Sequence, residues 1–147
     1  PETRQRIRQA AWDQAQVTEA SVLLVLCADL KSWAKEPERY WRNAEPERQA
    51  MLAGMIRQFY DGKDDLQRDE AMRSVGMAAQ TLMLAAKAVG YDSCPMVGFD
   101  FARVAEIIRL PQDHAIGMML AVGKAVKPAW PRGGAIAMDE AVVWDGF

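Results

Sequence analysis

Apolar and polar positions along this chain change period several times, and each change predicts an element. Residues 2–15 place Ile7, Ala10, Ala11 and Ala15 at helical spacing with charges on the other face, which predicts an amphipathic helix. Pro1 stands at its opening, where a fixed φ suits the first helical position. Ala20–Ala28, reading ASVLLVLCA, is a continuous apolar run with β-branched members. Its length and its end at Asp29 predict a strand buried on both faces. Lys31–Ala44 mixes Trp33, Tyr40 and Trp41 with many charges, and Pro37 interrupts it, so one short helical piece and a loop are expected. Pro46 opens another helix, with Met51, Leu52, Met55, Ile56 and Phe59 recurring until Asp61-Gly62 stops it.

A long helix is expected next, from about Gln67 to Val89. Met72, Val75, Ala79, Leu82, Met83 and Ala86 form one stripe, and Gly76, Met77, Ala78, Ala85 and Ala88 fill the other faces. A helix apolar nearly all round must be covered nearly all round, and a partner subunit is an economical cover. Gly90 suits a left-handed cap. A short strand over Tyr91–Cys94 follows, then a Pro-x-x-Gly loop of Pro95, Met96, Val97 and Gly98. Asp100 is an N-cap candidate for a helix holding Phe101, Val104, Ala105 and Ile108, which Leu110-Pro111 ends. Ile116–Val126 predicts a second buried strand, with Gly117 and Gly123 allowing close approach. Residues 127–134 form a loop, and Ala141–Trp144 is a possible last strand. The order predicts an α+β fold, with helices around a mixed, mainly antiparallel sheet.

Half of the 147 residues are apolar, enough for a real core in one domain spanning 1–147. The net charge of -2 and the lack of a basic stripe argue against nucleic acid as a partner. No apolar run reaches membrane-spanning length, so no membrane partner is expected either. Cys27 and Cys94 sit in apolar segments, fit neither a disulfide framework nor a metal pattern, and are expected as buried thiols of a cytoplasmic protein.

Candidate chemistry is sparse. His114 is the single histidine, so no nucleophile–histidine pair can be assembled, and no Walker loop or GxGxxG occurs. Asp64, Asp65, Asp69 and Glu70 lie near a helix start, where acids favour the macrodipole. Such a chain is expected to leave its chemistry to a cofactor, with the protein supplying position and electrostatics. An unobstructed loop such as Pro95–Gly98 could aim backbone amides at a flat ring. Arg132, in a Gly-rich loop after a strand, is the best cation for a phosphate.

The run SVGMAAQTLMLAAKAVGYDSCPMVGFD resembles the helix, strand and loop of the nitroreductase family, and the likeness extends over nearly the whole chain. The resemblance implies an FMN-dependent oxidoreductase. It would pass hydride from NAD(P)H through the flavin to a small-molecule acceptor such as a nitroaromatic, quinone or enone. It implies flavin contacts from the main chain of Pro95, Met96, Val97 and Gly98. LAVGKAVKPAWPRGG resembles the family's last core strand and phosphate loop, which points to Arg132. Some relatives carry a lysine where this chain has Trp130, leaving Lys127 as a second cation. Trp41, Phe59 and Phe99 are candidates for the roof over the substrate. The resemblance further implies a homodimer, with the central helix at its core and residues 135–147 reaching the other subunit. Relatives carry an N-terminal Arg-Ser-x-Arg segment that is not among these residues, and the chain is expected to be part of a longer one. The alternative is a dimeric module of the same fold without cofactor or catalysis.

Overall fold

A computed structural model describes residues 2–147; Pro1 and its expected place at a helix start lie outside the described residues. Helix α1 spans Glu2–Ala10 and α2 spans Gln16–Glu19. Strand β1 (Val22–Asp29) follows, then a 3₁₀ turn over Pro37–Trp41, then helices α3 (Pro46–Tyr60) and α4 (Asp64–Ala88). Strand β2 (Asp92–Met96), helix α5 (Phe101–Ile108), strand β3 (His114–Gly123) and a short α6 (Met138–Ala141) complete the order. The sheet runs β1-β3-β2, and both pairings are antiparallel.

The central strand carries the core. Met119 and Leu120 of β3 are fully buried. On one face, Met119, Ile116 and Ala121 pack with Ile7 and Ala10 of α1, Val17 of α2, and Val104 and Ile107 of α5. Helix α4 crosses all three strands. Gly117 lets it approach, because a Cβ there would stand 2.4 Å from Val75 Cγ1. Gly90 ends α4 as expected: at φ 78° it turns the chain so that Tyr91 N–H reaches Ala86 C=O at 2.8 Å. Asp100 caps α5 by accepting from Arg103 N–H at 2.9 Å.

Several expected elements are corrected. The first helix stops at Ala10 rather than running to Ala15. Trp12 and Asp13 take left-handed φ of 51° and 57°, and Asp13 N–H closes back on Arg8 C=O. Strand β1 is an edge strand, so it is half-covered and not buried on both faces; Cys27 is exposed there, as is Cys94 on the other edge strand. Helix α4 begins at Asp64, where two acids occupy its first turn. Strand β2 runs on through Pro95 and Met96, which therefore stand in the sheet and not in a loop. The expected last strand at Ala141–Trp144 has no ladder partner among the described residues, and one turn of helix runs into its first residue.

Candidate functional site

The end of β2 is the most constructed part of the surface. Met96 pairs with Met119 and is buried, while Phe99, three residues on, is also buried and stacks on Phe101 with ring centroids 4.2 Å apart. These two anchors hold the step between them, an exposed Val97 and a half-buried Gly98. Asp100 N–H donates to Ala10 C=O at 2.8 Å and ties the far side to α1. Within the step, Phe99 N–H donates to Val97 C=O at 3.1 Å. Gly98 C=O accepts from Gln14 Nε2 at 2.7 Å. The N–H groups of Val97 and Gly98 find no acceptor among the described residues. The ring of Trp12 lies close against the glycine, since a Cβ on Gly98 would stand 2.7 Å from Trp12 Cζ3. The result is a backbone step whose two N–H donors are free among the described residues, the chemistry that suits the heteroatoms of a flat ring.

Other sequence candidates are placed differently. Lys127 and Arg132 are exposed, lie in a stretch without regular structure, and make no ion pair or hydrogen bond among the described residues. Trp41 is partly covered and stands edge-on to Tyr40. Phe59 is exposed, with Lys63 Nζ 4.9 Å from its ring centre. Phe99 is 4 % exposed and packs within the core cluster. The three aromatics do not converge on one cleft.

Two features had no counterpart in the sequence reading. A cleft of about 570 Å³ opens between β1, the 3₁₀ turn, α3 and α4, lined by Leu26, Cys27, Trp33, Tyr60, Ser74 and Val75 among others. Trp33 Nε1 is buried without an acceptor among the described residues. Partial burial pushes the Cys27 thiol above its ordinary pKa. Where β1 ends and β3 begins, Asp29, Asp113 and His114 bring their ligand atoms close enough together to hold a cation. Lys35 already supplies one: its ammonium contacts Asp29 at 2.8 Å and also Asp113. The Lys35 hydrogen bond, then that of His114, pushes the Asp113 carboxyl down to about 2. Burial works the other way at Asp29, yet Lys35 and the Lys31 N–H hold its carboxyl below the ordinary range.

Sheet order, the crossing of α4 and the loop after β2 define an α+β protein of the nitroreductase-like fold. A crystal structure of an Exiguobacterium sibiricum protein in complex with FMN superposes with a TM-score of 0.86, covering 97% of this chain and 71% of that one at 24% identity. The model of the Nitroreductase family matches residues 1–124, and the chain belongs to that family. Protein DrgA of Synechocystis is 57% identical over 129 residues, which is 88% of this chain and 61% of DrgA. A Thermus thermophilus NADH dehydrogenase is 32% identical over 146 residues, 98% of this chain and 71% of its own length. The chain thus spans about three fifths of DrgA.

Proposed function

We propose that this chain forms the flavin-facing part of an FMN-dependent NAD(P)H oxidoreductase that works as a homodimer, with residues 135–147 reaching the second copy. The observation that carries the reading is the Val97-Gly98 step, whose two backbone donors are free while both neighbouring side chains are anchored in the core. Family membership supports it. So do the nicotinamide substrate in the Thermus relative's name and the FMN held by the Exiguobacterium protein. Pro95, Met96, Val97 and Gly98 would face the ring through the main chain, and Lys127 and Arg132 would meet the phosphate. When bound, FMN supplies a two-electron carrier between a nicotinamide and an acceptor such as a nitroaromatic or quinone. The protein's own part is to present donors where charge gathers and to leave the ring face open for the two substrates in turn.

Titrating FMN against the purified protein tests this. Saturable quenching of flavin fluorescence is expected, with NAD(P)H oxidation once an acceptor is added. Arg132→Ala should weaken binding roughly tenfold or more, the size of one charge-assisted hydrogen bond. A stable dimer that ignores FMN would overturn the reading in favour of the cofactor-free module.

A further inference from the structure

We propose that Gln14 is a positioning residue: its side-chain amide pins the 98–99 peptide and so fixes the direction of the Gly98 N–H. The consequence for flavin rests on the function proposed above; the positioning itself does not.

The geometry runs through two peptide planes. In a trans peptide the C=O and the following N–H point in opposite directions. Val97 C=O is turned toward Phe99 N–H, at 3.1 Å, so the Gly98 N–H of the same plane is turned away from that bond. A three-residue turn closed by one such bond is weak by itself. The next plane stabilises it, because its N–H is the one that closes the turn and its C=O accepts from Gln14 Nε2 at 2.7 Å. Both groups of the 98–99 peptide are therefore occupied, and the plane cannot rotate without losing both bonds.

Gln14 is itself held. Nε2 also donates to Ala11 C=O at 3.1 Å, and Oε1 accepts from Gln16 Nε2 at 3.1 Å, which leaves the amide one orientation. The backbone around it is committed at a cost, since Trp12 and Asp13 are consecutive non-glycine residues with positive φ. Arg8 holds this turn, contacting Asp13 Oδ1 at 2.7 Å and Thr18 Oγ1 at 2.9 Å. The same turn lays the ring of Trp12, itself 72 % exposed, against Gly98. An apolar ring left in water on a strained turn, beside a glycine from the far part of the chain, is accounted for if the turn buttresses that glycine.

The test is amide exchange in the ¹⁵N-labelled 147-residue protein, comparing the parent with Gln14→Glu and Gln14→Ala. Glutamate keeps the size and removes the donors. Phe99 N–H should exchange about fivefold faster in both variants, the worth of one hydrogen bond. The Gly98 cross-peak should move, and Met119 and Leu120 in β3 should keep their rates. Unchanged Phe99 exchange would overturn the assignment. Acceleration shared equally by Met119 and Leu120 would also overturn it, since Gln14 would then serve the fold as a whole. With FMN bound, the visible circular dichroism of the flavin should differ between the parent and Gln14→Glu. A parent protein that takes up no FMN defeats the proposed function and leaves the Phe99 comparison intact as the test of positioning.

Discussion

Lys35 stands between the carboxylate that ends β1 and the one directly before β3, and its ammonium joins those two strand ends. The linkage has a definite sign. The Asp113 carboxyl is depressed to about 2 in the folded chain, so the unfolded chain takes up a proton first as pH falls. The contribution of this group is fully present above the ordinary carboxylate range near pH 4 and is lost as pH falls toward 2. Lys35→Met removes the main cause of the depression. Denaturant unfolding should show the parent more stable than the variant at pH 7, with the gap closing by pH 2 to 2.5. A gap that stays constant across that range would show that Lys35 acts through its packing. Gln67 works at the same scale. Buried on α4, it donates to Tyr60 C=O at 2.7 Å and accepts from Lys31 at 2.8 Å, so both polar atoms of its side chain are paired.

Among the elements, the contact of α4 with β3 depends on a residue that is missing a side chain. A methyl group on Gly117 would meet Val75 Cγ1 at 2.4 Å, and a β-branched residue within a helix has little choice of rotamer with which to give way. Gly117→Ala should lower unfolding free energy by about 1–3 kcal/mol. Val75→Ala should recover part of that loss in the double variant, a coupling that a double-mutant cycle measures directly. Additive effects would mean that the helix yields as a body. This close approach was legible in the sequence, as were the caps at Gly90 and Asp100, because each depends on one residue's own conformational preferences. Apolar spacing likewise located β1, α3, α4, α5 and β3. It failed where the outcome is decided at a distance. Ala11 and Ala15 kept helical spacing straight through the left-handed turn at Trp12-Asp13. An apolar run does not say whether its strand will be central or at an edge, and so Cys27 came out exposed. Gln14 and Gly98 meet across most of the chain, and no local pattern marks such a pair.

For the molecule as a whole, the homodimer proposed above would be seated on the outer face of α4. Its inner stripe of Val75 and Ala79 is buried against the sheet, while Met77 and Leu84 are 63% and 62% exposed. Met77 and Leu84 stand two turns apart on one face of the helix with Thr81 between them, and exposed apolar side chains at such a spacing suit a contact surface. The segment after β3 adds Trp130 and Trp144, both largely in water. Trp130 and Trp144 lie well away from α4 in sequence, so the two surfaces can be tested apart. The proposed homodimer should sediment at twice the chain mass. Met77→Asp with Leu84→Asp should turn it into monomer, because each carboxylate would have to be desolvated without a partner in the interface. Deleting residues 135–147 should weaken the dimer while leaving α4 able to form it. If the deletion alone yields monomer and the α4 variant stays dimeric, the tail is the seat of association and the outer face of α4 serves another contact. A parent that sediments as monomer at all concentrations would refute the homodimer for this chain, and the flavin titration would then have to be read on a single copy.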